Sequence, residues 1–212
     1  MNSKKNNKIL KIITVRIKYI ITLKMNKPII ITLHGGCFVG GSASWDAAQT
    51  KCLTDLGLDV RQLDFPKDEL EETLTYIHKY IKEIDSPVFI LGRSSGGFLA
   101  KVLTDKYPKL IEKAIYLSPV FNPQLRANIN TKFKSKQDHY FRNGYKYNTS
   151  KFNKDTEILF IATHDENVPK ECFTKKQIES ANSNCLGIRS HKGMTTTSSK
   201  AFCSMIKQKL NL

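Results

Sequence analysis

The residues with the clearest chemical potential lie in the run Gly92-Arg93-Ser94-Ser95-Gly96-Gly97. It follows the apolar stretch Val88–Leu91 and precedes a segment of helical period. A G-x-S-x-G run between a strand and a helix is the pattern of a nucleophile elbow, a tight turn that exposes a serine hydroxyl at a strand end. The glycines two before and two after the serine are needed because a Cβ at either place would collide as the turn closes. The spacing also chooses between adjacent serines. Ser94 has glycine on both sides at distance two, whereas Ser95 would have Arg93 there. Ser94 is therefore the candidate nucleophile for acyl transfer. A Gly-rich turn at a helix N-terminus can also cradle a phosphate. Against that reading, the chain has neither G-x-x-x-x-G-K-[ST] nor G-x-G-x-x-G.

A serine nucleophile needs a base, and the base needs a group to orient it. On an elbow of this kind the order along the chain is serine, acid, histidine. Of the histidines at 34, 78, 139, 164 and 191, only the last two lie in the final third. His164 adjoins Asp165 just beyond the apolar run Ile158–Ala162. His191 follows Cys185–Ile188 and precedes the last helical pattern. Only His191 is C-terminal to Asp165, which selects Ser94, Asp165 and His191. Taken singly, each has a plainer reading: Asp165 caps a helix opened by Pro169, and a loop histidine faces solvent. Their order at strand ends carries the argument. The developing oxyanion needs two backbone N–H donors. One is that of Ser95; the other falls to Gly36 or Cys37 in Leu33-His34-Gly35-Gly36-Cys37-Phe38. His34 is read as a structural hydrogen-bonding residue and Cys37 as a backbone donor or bystander.

Through His34-Gly35-Gly36, Gly92–Gly97, Asp165–Pro169 and His191, the chain resembles the α/β-hydrolase superfamily over about residues 27–212. The resemblance implies that superfamily's sheet, a Ser-Asp-His triad, and hydrolysis of an acyl bond with no cofactor and no metal. A carboxylic ester is the first choice of substrate, and a small serine hydrolase the expected enzyme. Two departures stand out. The first two strands of a full hydrolase sheet are missing or reduced to the segment before Met25. The insertion after the strand ending near Leu117 is short, so little or no lid is expected. Thioesterases, peptidases and non-catalytic binding proteins share the fold, and all three remain open as alternatives.

The elements that must position these residues are legible from periodicity. Ile29–Leu33, Val60–Phe65, Val88–Leu91, Ala114–Leu117, Ile158–Ala162 and Cys185–Ile188 read as strands, several of them apolar without alternation, as in a sheet covered on both faces. Asp68–Ile84 is amphipathic, with Asp68 and Glu71 as a capping box. Phe98–Tyr107 and Ala201–Leu210 are further helices. Alternation of strand and helix predicts an α/β fold with a mainly parallel sheet of about six or seven strands flanked by helices. One domain is expected at 25–212, with an irregular basic and aromatic insertion at about 118–154.

The formal charge of +15 is concentrated in two places. Residues 1–24 hold seven Lys/Arg and no acid, and residues 118–154 hold eight against Asp138 alone, so the rest of the chain is near neutral. Solvated basic stretches are the plain reading. The expected partner is a small-molecule acyl substrate, with no nucleic acid and no membrane span; oligomeric state is not readable. Residues 1–24 fit an edge strand through Val15–Leu23, a weak targeting segment, or an extension upstream of a start at Met25. Five cysteines without C-x-x-C spacing argue against a zinc site and against a secreted disulfide scaffold, and fit a reducing, cytoplasmic setting. Residues 118–154 suggest a flap that favours substrates with an apolar and a negatively charged part; a plain surface loop is the alternative.

Overall fold

A strand that is apolar on both sides must be covered on both, and the computed structural model shows how this chain does it. It describes residues 27–35, 47–65, 69–129, 147, 149, 151–181, 188–195 and 199–212, apart from the side chains at positions 124, 191 and 195. Among the described residues, five strands, β1 (Ile29–Leu33), β2 (Asp59–Leu63), β3 (Val88–Arg93), β4 (Ile111–Leu117) and β5 (Glu157–Phe160), form one sheet in the order β2-β1-β3-β4-β5. Every pairing is parallel. The helices are α1 (Ala47–Asp55), α2 (Leu70–Lys82), α3 (Ser95–Lys106), α4 (Pro123–Ile129), α5 (Lys175–Ser180), α6 (His191–Thr195) and α7 (Lys200–Leu210), with a 3-10 turn at Lys170–Cys172.

Alternation along the strands divides the core in two. Ile31, Leu33, Ile90, Tyr116 and Leu159 face α2 and α3, meeting Leu74, Ile77, Ile81, Phe98 and Val102. Ile30, Leu91, Ile115, Leu117 and Phe160 face the other way, onto Leu53 of α1, Met194 of α6 and Phe202 and Ile206 of α7. Each buried Leu, Ile or Phe contributes about 1.5–3 kcal/mol relative to exposure. The helix after β1 covers one face and the helix after β3 covers the other, although the two strands are neighbours. The connections thus diverge at the C-terminal ends of β1 and β3. Sheets of this type place their ligands where connections diverge in this way.

Several expectations need correction. The α2 helix begins at Leu70 with Glu69 as its N-cap, which makes no side-chain capping bond. The expected partner Asp68 lies outside the described residues, and Glu71 instead accepts a hydrogen bond from the Tyr147 hydroxyl at 2.5 Å. Segment 118–154 is not irregular throughout, since α4 occupies its first part. Phe121 and Phe152 are core residues, and the buried Thr149 hydroxyl donates to the Phe121 carbonyl. The flap residues Lys132, Phe133, Lys134, Lys136, Tyr140, Phe141 and Tyr145 lie outside the described residues, as do residues 1–24 and Cys185. Of the last expected strand, Ile188 is described. Its carbonyl and that of Arg189 accept the Thr163 and His164 N–H groups at 3.3 and 2.7 Å, alongside the continuation of β5.

The cysteines hold one surprise. Cys52 of α1 and Cys203 of α7, 151 residues apart, are joined in a disulfide with Cα atoms 6.1 Å apart. An odd cysteine count excludes complete pairing; it does not exclude a single bond, and partners this distant leave no local spacing to read.

Candidate active site

Ser94 directly follows β3 and stands at the N-cap of α3 with φ 49° and ψ −116°, a left-handed conformation that a serine adopts only when its surroundings enforce it. Three hydrogen bonds do so. The Ser94 N–H donates to the Leu117 carbonyl at 2.9 Å, and its carbonyl accepts the N–H groups of Gly97 at 3.1 Å and Val120 at 2.9 Å. A serine at an N-cap ordinarily turns its hydroxyl back onto the first helical turn. Here no such bond forms, so the Oγ is not consumed in capping.

The flanking glycines are required by close approach. A Cβ on Gly92 would run into the Gly96 carbonyl, and one on Gly96 into the Leu33 and His34 carbonyls. The elbow is therefore wedged directly against the end of β1. A Cβ on Gly35 would come within 2.8 Å of the Ser94 Cβ, which puts the loop after β1 on top of the serine. Gly36 and Cys37 continue that loop and lie outside the described residues. Ser95 is the first residue of α3, where the N–H groups have no intrahelical acceptor and the helix dipole favours negative charge. His34 packs its ring flat on Phe65 with centroids 4.6 Å apart, and its Nε2 is 3.8 Å from an Asp64 carboxylate oxygen.

Asp165 lies five residues past β5 and is 7% exposed. Its Oδ1 accepts the N–H groups of Asn167 at 2.9 Å and Val168 at 2.7 Å, which fixes the carboxylate within its own turn. The neighbouring His164 is exposed, so successive side chains point apart. His191 is the first residue of α6; its backbone is placed and its side chain lies outside the description. The bond from His164 N–H to the Arg189 carbonyl brings the backbone before Asp165 beside the backbone before His191. Ser94, Ser95 and Asp165 thus share the C-terminal end of the sheet, and the chain at His191 is adjacent to that of Asp165.

One residue here had no sequence pattern to reveal it. Ser118, directly after β4, has φ 43°, is fully buried, and its Oγ has no hydrogen-bond partner among the described residues. Its N–H donates to the Phe160 carbonyl at 2.9 Å, so it sits between the strand that delivers Ser94 and the strand that leads to Asp165. Cys172 is also nearby. Burial pushes its thiol up to about 11, with Arg126 opposing and Glu171 and Asp165 adding, so it is a poor nucleophile at neutral pH. Among the described residues no group of three or more His, Cys, Asp or Glu could hold a metal ion, and no helix is long and apolar enough to cross a membrane.

The fold and site geometry define a member of the α/β-hydrolase superfamily. Residues 6–203 match the family described as "Putative esterase", and the chain belongs to it. It is a hydrolase that acts on esters. No curated protein matches the chain by sequence. Among solved structures, Est1E from Butyrivibrio proteoclasticus aligns with a TM-score of 0.66 at 19% identity, over 87% of this chain and 89% of that one. The same protein with ferulic acid bound aligns at 0.61 and 16%, over 87% and 88%. A monoacylglycerol lipase from Paleococcus ferrophilus aligns at 0.54 and 15%, over 78% and 84%. These similarities concern the fold.

Proposed function

We propose that the chain cleaves small carboxylic esters through an acyl-enzyme on Ser94. The Ser94 Oγ attacks the ester carbonyl carbon while His191 removes its proton, and Asp165 orients and stabilises the imidazolium. The N–H groups of Ser95 and of Gly36 or Cys37 hold the oxyanion. Collapse breaks the bond to the alcohol, which leaves with the proton from His191. Water then repeats the sequence and releases the acid. The observation that carries this reading is the Ser94 hydroxyl. It stands at a helix N-terminus, in an enforced left-handed backbone, without making the capping bond that would be its structural use.

The neighbours bound to ferulic acid or acting as a monoacylglycerol lipase suggest aromatic-acid and glycerol esters as first substrates to try. A fluorophosphonate probe should label Ser94, as located by mass spectrometry. Ser94→Ala should abolish labelling and lower kcat/KM for a p-nitrophenyl ester by about 10⁴-fold. Labelling at Ser95, or undiminished turnover in Ser94→Ala, would overturn the assignment. Activity on thioesters or peptides with none on oxygen esters would move the chain to one of the alternative chemistries. No labelling and no turnover would favour a binding protein.

A further inference from the structure

The segment that begins at His191 carries α6 and then α7. Met194, Phe202, Ile206 and Leu210 bury into the cluster beneath β3, β4 and β5, and the Lys113 ammonium donates to the Lys209 carbonyl. Beyond these, α7 is tied by the bond from Cys203 to Cys52 of α1. Cys52 and Leu53 lie in the same apolar cluster as Met194 and Phe202. A helix packed on a sheet can open locally at less cost than the core strands beneath it. With the disulfide formed, α7 cannot leave the sheet without carrying α1 away from the same core.

We propose that the Cys52–Cys203 disulfide is a redox clamp on the catalytic histidine, holding α7 and the α6 turn against the sheet when oxidised and releasing them when a dithiol reduces it. The proposal rests on the reading of His191 as the base. In the reducing step a thiolate of the dithiol attacks one sulfur to give a mixed disulfide. Its second thiol then displaces the protein and closes a cyclic disulfide. Two electrons and two protons pass to Cys52 and Cys203, which leave as thiols. Cys203 is half-buried, so one side of the bond is open to such a reagent. Cys172 is a weak competitor for exchange, since its buried thiol holds its proton at neutral pH. A bond of this kind persists in an oxidising compartment, contrary to the reducing setting suggested by the cysteine count.

The test compares the full chain before and after dithiothreitol, together with a Cys52→Ser/Cys203→Ser double variant. Non-reducing peptide mapping of the oxidised chain should find Cys52 and Cys203 peptides joined. On reduction, amides of α6 and α7 should exchange about tenfold faster while those of β3 and α3 keep their protection. The kcat/KM for a p-nitrophenyl ester should fall about tenfold as the base loses its placement. The double variant should match the reduced form in both readouts and ignore dithiothreitol. Absence of the joined peptide, or its cleavage without faster exchange in α6 and α7, would overturn the proposal. Faster exchange with unchanged kcat/KM would also overturn it, leaving a plain staple. If neither form hydrolyses esters, the hydrolase reading fails, and the exchange data still decide whether the bond restrains these helices.

Discussion

Two serines in left-handed backbone, Ser94 and Ser118, flank the site, and their strain has different uses. At Ser94 it accompanies a hydroxyl that makes no capping bond to the helix. At Ser118 it bends the chain so that the Val120 N–H can reach the Ser94 carbonyl, a bend that any residue tolerating φ 43° would supply. Glycine tolerates it best, and a buried hydroxyl without a partner costs about 1–3 kcal/mol. Ser118→Gly should therefore raise stability by about 1 kcal/mol, after the entropic cost of glycine, as read by thermal unfolding. A loss of stability would show that the hydroxyl is engaged in solution. At Cys172 the sign is set by burial, which lifts the thiol from 9.0 to about 11. The folded chain then holds that proton more tightly than the unfolded chain. The stabilisation is complete below pH 9 and disappears as pH rises toward 11. Over that window the unfolding free energy should fall more steeply with pH for the parent than for Cys172→Ala.

At the scale of elements, α3 and β5 are joined by a buried charge cluster remote from the elbow. Lys101 is fully buried, with its Nζ 3.2 Å from a Glu157 carboxylate oxygen and 2.5 Å from Asp105. Glu157 also accepts the Tyr116 hydroxyl and the Asn153 N–H, each at 2.9 Å. Removing one partner strands a buried charge, so Lys101→Met should cost about 3–5 kcal/mol in denaturant unfolding. The double variant Lys101→Met/Glu157→Leu should recover part of that loss. None of this was legible beforehand. Lys101 sits in a helix where a lysine reads as solvent-facing, and its acid is 56 positions away. The strands β1, β3, β4 and β5 were legible because apolar runs in a parallel sheet are buried on both faces, and α2 because its apolar stripe has a clean period; the edge strand β2, Asp59–Leu63, is mixed in sequence and only half-buried. Helices α1, α4, α5 and α6 were missed because they are short and carry no strong stripe. The elbow could be read from its glycines, since the collision of a Gly92 Cβ with Gly96 acts within five residues of chain, whereas that of Gly96 with the end of β1 is not encoded by spacing. The packing of Gly35 against Ser94 and the pairing of His164 with Arg189 join distant segments, which spacing does not encode.

For the molecule as a whole, the Cys52–Cys203 bond closes one of the longest loops the chain could form. On the chain-entropy model a loop of 151 residues contributes about 5 kcal/mol by restricting the unfolded ensemble. Dithiothreitol should accordingly shift the denaturant midpoint downward, and Cys52→Ser alone should reproduce most of that shift without added reductant. An unchanged midpoint would mean that the unfolded chain is already compact where the bond would restrict it. The family match covers residues 6–203, so it includes residues 6–24 upstream of Met25.

The same bond gives the polypeptide the topology of a ring with two tails. A single protease cut anywhere between Cys52 and Cys203 opens the ring without dividing the molecule. After a cut between Ser94 and Asp165, the two portions would stay one covalent body, and only reduction would part them. A nicked chain should therefore migrate as two fragments on a reducing gel and as one species without reductant. New termini placed between α4 and β5 would interrupt neither the elbow nor the bond.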